Sequence, residues 1–141
     1  FQTQYDVAQL GNGVWGVDGR YDIVRATFTD GTNVPRIPPQ RLGAGVYYRD
    51  DNWFLRVGML HAMAQNNVSD FETPTAGYNL PKAELSYLAK LPGDPTGLTQ
   101  LKVGITGDNL LNDDVRFAQS YKKDEVLQPG RTIKIFANLK F

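Results

Sequence analysis

The chain has 141 residues, which suits a single domain, and its 15 basic residues balance its 15 acidic residues. A net charge of zero argues against nucleic-acid binding, because phosphates attract a basic surplus, and the lack of cysteine excludes disulfides and thiolate metal sites. The sequence also has no run of about 18 apolar residues, so it contains no candidate membrane-spanning helix.

The pattern of apolar residues predicts seven strands and no amphipathic helix. Each segment alternates apolar and polar residues, as a strand with one dry face does. Most segments are about 9–12 residues long, which exceeds the soluble mean of about 5–6 and is close to the length that crosses a bilayer. The predicted strands are 2–10, 14–28, 40–49, 53–64, 78–91, 99–109 and 131–141.

Short and long connections alternate strictly between these segments. Glycine, asparagine, aspartate and proline mark the short ones as tight turns. Alternate connections of an up-and-down antiparallel sheet lie at the same end, so the short turns share one rim and the long loops the other. Outer-membrane barrels have this asymmetry. The short turns are 11–13, 49–52 and 91–98, and the long loops are 29–39, 65–77 and 110–130.

The two faces of the predicted sheet differ in polarity. The last segment shows the alternation most clearly, because Lys134, Phe136, Asn138 and Lys140 alternate with an apolar set. Burying the lysines of such a face without partners would cost several kcal/mol each, so we expect this face to line water. The apolar set is Ile133, Ile135, Ala137, Leu139 and Phe141, and the expected water-lining residues include Arg56, Lys82, Glu84, Lys102 and Lys134.

Two other architectures remain open from these patterns. A soluble β-sandwich that binds a sugar or peptide would show the same alternation, since it too has one dry face. A small passive outer-membrane barrel of eight strands would fit if one strand escaped notice. Bacterial barrels have even strand numbers, so seven strands predict part of a larger barrel. No signal peptide opens the chain, and residues 1–7 have a mid-strand pattern, so we expect a processed product or a fragment.

Several motifs carry a family resemblance that covers about residues 20–141. The chain resembles the C-terminal part of the β-barrel of TonB-dependent outer-membrane receptors, in the subgroup of metal, zinc or siderophore receptors. The pair formed by GDNLLN and by PGR before a strand ending in phenylalanine is the most specific part. The matching stretches are YDIVRA (21–26), VPRIPPQRLG (34–43), ETPTAGY (72–78), GDNLLN (107–112) and PGR (129–131).

The resemblance implies an all-β fold, an antiparallel up-and-down transmembrane barrel of the 22-stranded type. Residues 1–141 would supply about seven of its strands, and the plug domain would lie outside them. The protein would be an active importer of a metal ion or a siderophore-like metal chelate in the outer membrane of a Gram-negative bacterium. Its implied partners are outer-membrane lipid, the rest of the barrel with its plug, a TonB-type energy-coupling protein and the barrel-assembly machinery. The resemblance implies no enzymatic activity and no cofactor.

Few residues are candidates for specific chemistry. One histidine and no cysteine leave few routes to nucleophilic catalysis, which supports a protein that is not an enzyme. The weak candidates for metal ligands are His61, Asp70 and Glu72, and solvated loop charge is the simpler explanation of the two acids. Aromatic residues near predicted strand ends fit either an interfacial girdle or ordinary sheet packing: Trp15, Trp53, Tyr47, Tyr48 and Tyr87.

The strand that ends in Phe141 has a separate implied role. In TonB-dependent receptors and similar barrels, such a terminal strand resembles the signal that the barrel-assembly machinery reads. An alternating edge strand offers unpaired backbone groups that a partner can recognise by strand addition. The predicted signal residues are Ile133, Ile135, Ala137, Leu139 and Phe141.

Overall fold

The structure, a computed structural model, describes residues 1–90 and 99–140. These residues form one antiparallel sheet of seven strands in chain order, which confirms the predicted all-β, up-and-down architecture. No helix in the described ranges is long and apolar enough to cross a membrane. The strands are β1 (Gln2–Leu10), β2 (Gly13–Asp22), β3 (Arg41–Arg49), β4 (Trp53–Ala62), β5 (Tyr78–Lys90), β6 (Gln100–Asp108) and β7 (Thr132–Lys140).

The predicted strand bounds were accurate to one or two residues except at the end of β2. The prediction 14–28 was too long, because β2 ends at Asp22, which pairs with the first residue of β3, Arg41. Among the described residues no strand pairs with the chain beyond that point, and the chain turns back on itself through a bridge between Thr27 and Asn33. The predicted turn 91–98 and Phe141 lie outside the described residues.

The register places apolar side chains together on one side of the sheet, the apolar face. One row across it contains Val17, Val46, Val57 and Ala83, which are direct cross-strand neighbours. Val46 and Val57 are each 50% exposed, and Ile135 on β7 is 83% exposed. The apolar face therefore continues from strand to strand and is uncovered.

The opposite side, the polar face, carries the charged side chains. One row runs through Arg56, Glu84, Thr106 and Lys134 on four successive strands. Lys82 is an even number of residues from Glu84 on β5, and Lys102 is an even number from Thr106 on β6, so their side chains point the same way. All five predicted water-lining residues therefore share this face. The alternation in the sequence therefore predicted the two faces correctly.

The sheet lacks the core of a compact domain. The chain exposes 9734 Å², whereas a compact monomer of 15.7 kDa exposes about 7,300 Å². A β-sandwich needs two sheets packed face to face, and the described residues form a single sheet. The buried apolar residues among those described are few, and most lie near the long loops: Tyr47, Ala62, Tyr78, Val115 and Ala118.

The turn between β3 and β4 is organised by the carboxylate of Asp50. Its Oδ1 accepts hydrogen bonds from the backbone N–H groups of Asn52 (2.8 Å) and Trp53 (2.6 Å), and its Oδ2 accepts one from the Tyr48 hydroxyl (2.7 Å). These bonds favour the charged carboxylate and hold the pKa of Asp50 below its usual 3.8, the Trp53 N–H having the largest effect.

This lowered pKa predicts an acid-sensitive turn. A depressed folded pKa gives stabilisation that is complete above pH 3.8 and is lost as the pH falls through the lowered value. We expect the protection factors of the Asn52 and Trp53 amides, which are corrected for intrinsic exchange, to fall over that range in the wild type, and Asp50→Asn to abolish this fall. Asp51→Asn is the matched control, because the Asp51 side chain makes no hydrogen bond to the described residues. Parallel pH curves for the wild type and Asp50→Asn would contradict the role of Asp50.

Candidate functional site

An ion pair that joins β4 to β2 across β3 lies near the middle of the polar face. Arg56 on β4 donates to both carboxylate oxygens of Asp18 on β2, at 2.7 Å and 2.6 Å. The guanidinium reaches across β3 at Gly45, where an added Cβ would lie 2.7 Å from the Arg56 Nη2. Gly58 is similarly crowded, since its Cβ would lie 2.8 Å from the Ala44 carbonyl oxygen. The two glycines therefore provide the space for this bidentate pair.

A second charged cluster joins the last three strands. The Nζ of Lys82 on β5 lies 2.8 Å from Oδ1 of Asp108, and the Nζ of Lys134 on β7 lies 3.3 Å from Oδ2. Asp108 on β6 thus neutralises part of the charge of two lysines. Both lysine side chains are more than half exposed, so these pairs contribute little to stability and leave the ammonium groups accessible.

Tyr47 belongs to the polar face, so ordinary sheet packing explains it and an interfacial girdle does not. Its ring covers Gly16 on the neighbouring strand, and its hydroxyl donates to Asp6, which also pairs with Arg49 at 2.7 Å. Tyr47 is 2% exposed. The buried ring fills the space over a glycine, an arrangement that stabilises sheets at positions lacking a side chain.

The other four candidate girdle residues lie on the apolar face beside the short turns. Trp15 and Tyr48 have ring centroids 5.1 Å apart, and those of Trp53 and Tyr87 are 4.7 Å apart. Both pairs are cross-strand neighbours. These residues place two aromatic pairs at the turn end of the apolar face.

The long connections 23–40, 63–77 and 109–131, together the loop cap, bind one another at the opposite end. The Glu72 carboxylate accepts from the backbone N–H of Arg36 at 3.0 Å and 3.1 Å. On the other side, Lys123 Nζ donates to the Thr73 carbonyl at 2.6 Å, and the Thr73 hydroxyl donates to Asp124 at 2.7 Å. The loop 63–77 therefore connects its two neighbours.

A cavity of about 240 Å³ lies where the loop 109–131 meets the polar face. Leu80, Val115 and Phe117 give it an apolar wall, and the cluster of Lys82, Asp108 and Lys134 gives it a charged wall. Val115 is 2% exposed and belongs to the small core formed with Ala62 and Tyr78, so the apolar wall is anchored. Apolar walls with a few convergent polar groups are typical of ligand sites.

The structure does not gather the three candidate metal ligands into one site. His61 lies on the apolar face with Met59, and its Nδ1 is 2.8 Å from Oδ1 of Asn79. Glu72 is engaged by the backbone of Arg36, and Asp70 is exposed in the same loop. The described part of the chain contains no group of three or more His, Cys, Asp or Glu residues that could hold a metal ion.

Three features of the site were not predicted from the sequence. They are the pairing of Asp18 with Arg56, the role of Asp108 as a partner shared by two lysines, and the place of Phe117 in the cavity wall. Asp18 and Arg56 are separated by 38 residues, and only the register of three strands brings them together. Gly45 and Gly58, which are cross-strand neighbours on the polar face, were a usable signal, because two glycines on one face of adjacent strands mark a place where another group can approach the backbone closely.

Comparisons with known proteins support the fold. No protein-family model and no curated protein sequence matches the chain. Among solved structures, the chain is similar to one described as the copper transporter OprC, with a TM-score of 0.71 and 19% sequence identity over 99% of its residues. The chain spans 22% of the length of that protein. At this identity the likeness establishes a shared fold, in which these seven strands correspond to part of a larger protein.

Proposed function

We propose that this chain forms part of the wall of an outer-membrane β-barrel that imports a metal ion or a metal chelate. The single observation that carries the proposal is the uncovered apolar face. It presents valine, leucine and isoleucine side chains from successive strands, and Val57 and Ile135 are 50% and 83% exposed. Exposed apolar patches of this extent mark a surface that contacts lipid or another protein.

The dimensions of the sheet favour lipid as the solvent of this face. The strands are 9 to 13 residues long, and a tilted strand needs about 9–11 residues to cross a bilayer. Lipid-facing bands of barrels are bordered by aromatic residues, and the pairs of Trp15 with Tyr48 and of Trp53 with Tyr87 have this position. The polar face would then line a water-filled interior.

The distribution of loops favours a receptor over a simple wall. The loop cap places the long connections at one end and ties them together, whereas the described short turns lie at the other end. In barrels of this type the long loops are extracellular. The loop cap would therefore surround the entrance and take part in ligand capture.

Metal as the cargo is supported by two independent likenesses. The motifs from YDIVRA to PGR resemble those of TonB-dependent metal receptors, and one structure similar to this chain is described as a copper transporter. In this proposal a TonB-type protein supplies energy through a part of the receptor beyond residues 1–141. The edge strand β7, with Ile133, Ile135, Ala137 and Leu139 exposed, would present the signal for the barrel-assembly machinery together with Phe141.

The proposal is tested on the full-length protein in its own bacterium. We expect the protein in the outer-membrane fraction, with heat-modifiable mobility on a gel, as folded barrels show. Deleting the gene should lower the uptake of copper, zinc or iron measured by elemental analysis at limiting metal. Disrupting the TonB-type protein should lower it equally. Recovery of the protein in the soluble fraction would overturn the membrane location, and equal uptake of all three metals with and without the gene would overturn metal import.

A further inference from the structure

The positive charge of the polar face is concentrated on its last three strands. On β5–β7 this face carries five lysines against two carboxylates, whereas on β1–β3 it carries three arginines against three aspartates. The arginines of the first half are all paired: Arg20 and Arg41 with Asp22, and Arg49 with Asp6. The basic excess therefore lies on the half of the face that contains the cavity beneath the loop 109–131.

The cavity itself has more cationic than anionic groups. Lys82 and Lys134 share the carboxylate of Asp108, at 2.8 Å and 3.3 Å, so the cluster carries one net positive charge. Within residues 1–90 and 99–140, neither lysine forms an ion pair with any other carboxylate. A second anion placed between the two ammonium groups would complete their neutralisation. A bare metal cation would instead meet net positive charge.

The opposite wall of the cavity is apolar, so a matching ligand also needs an apolar part. Phe117 and Leu80 face the space, and Val115 behind them is buried in the core shared with Ala62 and Tyr78. The Phe117 ring is also fixed by Tyr78, with centroids 6.3 Å apart. A ligand that fits both walls combines one acidic group with a small apolar or planar body. The volume of about 240 Å³ suits a small molecule or one arm of a larger one.

We infer that this cavity is a binding site for a small anionic ligand, a carboxylate or phosphate attached to an apolar body. Lys82 and Lys134 hold the acidic group, and Leu80 and Phe117 contact the apolar body. The inference rests on the proposed function, in which the cavity lies at the entrance side of the importer. It narrows the proposed cargo to metal chelates with an exposed acidic arm. The lysines along β5–β7 raise the local concentration of anions near the site.

The test uses phenyl phosphate as the probe and the full-length protein purified in detergent. Calorimetry at low salt should detect binding to the wild type. The variant K82Q/K134Q should weaken it by about tenfold or more, because charge-assisted hydrogen bonds to an anion are lost. Lys102→Gln is the matched control, since Lys102 lies on the same face outside the cavity, and we expect it to change the affinity less than about twofold.

Further measurements keep the inference falsifiable. If the double variant fails to fold, Lys134→Gln alone serves, because this side chain is 65% exposed and its loss removes little packing. Phe117→Ala should weaken phenyl phosphate but leave inorganic phosphate unchanged. Equal losses from Lys102→Gln and K82Q/K134Q, or no binding of the probe, would overturn the site. Outer-membrane fractionation is independent of the probe, so failure of the proposed function and failure of this inference are distinguishable.

Discussion

Replacing Val57 with arginine is expected to destabilise the fold by about 2–4 kcal/mol, the cost of a cation near the middle of a strand surface that contacts lipid, as we propose for the apolar face. Val57 is the central outward residue of β4, flanked across the strands by Val46 and Ala83. Its side chain is 50% exposed, so the larger residue meets no packing obstacle in the sheet itself. The expected loss of unfolding free energy therefore shows whether lipid or water contacts the apolar face.

The measurement is urea unfolding of the full-length protein in lipid vesicles, followed by its heat-modifiable mobility. The matched control is Thr106→Arg, at a similar height on the polar face, where the new cation would lie between Glu84 and Lys134, so that attraction to one neighbour offsets repulsion from the other. We expect this control to remain within about 0.5 kcal/mol of the wild type. If both variants behave alike, the apolar face contacts water or protein instead of lipid.

The second large effect is expected at Gly58, where alanine should destabilise the sheet by about 1–3 kcal/mol through overpacking. The added Cβ would lie 2.8 Å from the backbone oxygen of Ala44 and 2.9 Å from Nη2 of Arg56. The backbone oxygen cannot rotate away, so the strands must separate. The displaced guanidinium would also loosen its hold on Asp18, whose side chain is only 20% exposed.

Gly19→Ala is the control for this prediction, because both changes add one methyl group to a strand glycine. At Gly19 the nearest atom to the added Cβ is 3.5 Å away, an ordinary van der Waals contact. Alanine there should be neutral or slightly stabilising, since it restricts the unfolded chain. Urea midpoints measured side by side decide the matter, and equal midpoints for the two variants would refute the steric role of Gly58.

The sequence predicted the strands because their signal is local. Alternation from Ile133 to Leu139 sets the face of β7 without reference to any other strand, and glycine and asparagine at 11–13 mark a turn by themselves. The predicted end of β2 was wrong because the true end depends on where the neighbouring strand, β3, begins. The residues 23–28 keep an apolar pattern, yet β3 starts opposite Asp22 and leaves them unpaired.

The candidate site was harder to predict because its contacts join distant parts of the chain. Lys123 and Thr73 are 50 residues apart, and no local pattern indicates that they meet. Tyr47 was misplaced for a different reason: its position near a strand end fits a girdle, but the local alternation of β3 already puts it on the polar face, opposite Gly16. Register across strands, which a single sequence does not contain, determines which charges become partners.

The bonds within the loop cap have a consequence for how the lengths of these connections can change during evolution. The segment 63–77 is the middle link, since Glu72 holds one neighbour and Thr73 holds the other. An insertion or deletion there would unfasten both flanking segments, whereas the distal part of 23–40 can vary with less disturbance. Length changes are therefore tolerated better in the distal part of 23–40 than in 63–77, whose bonds reach both flanking segments.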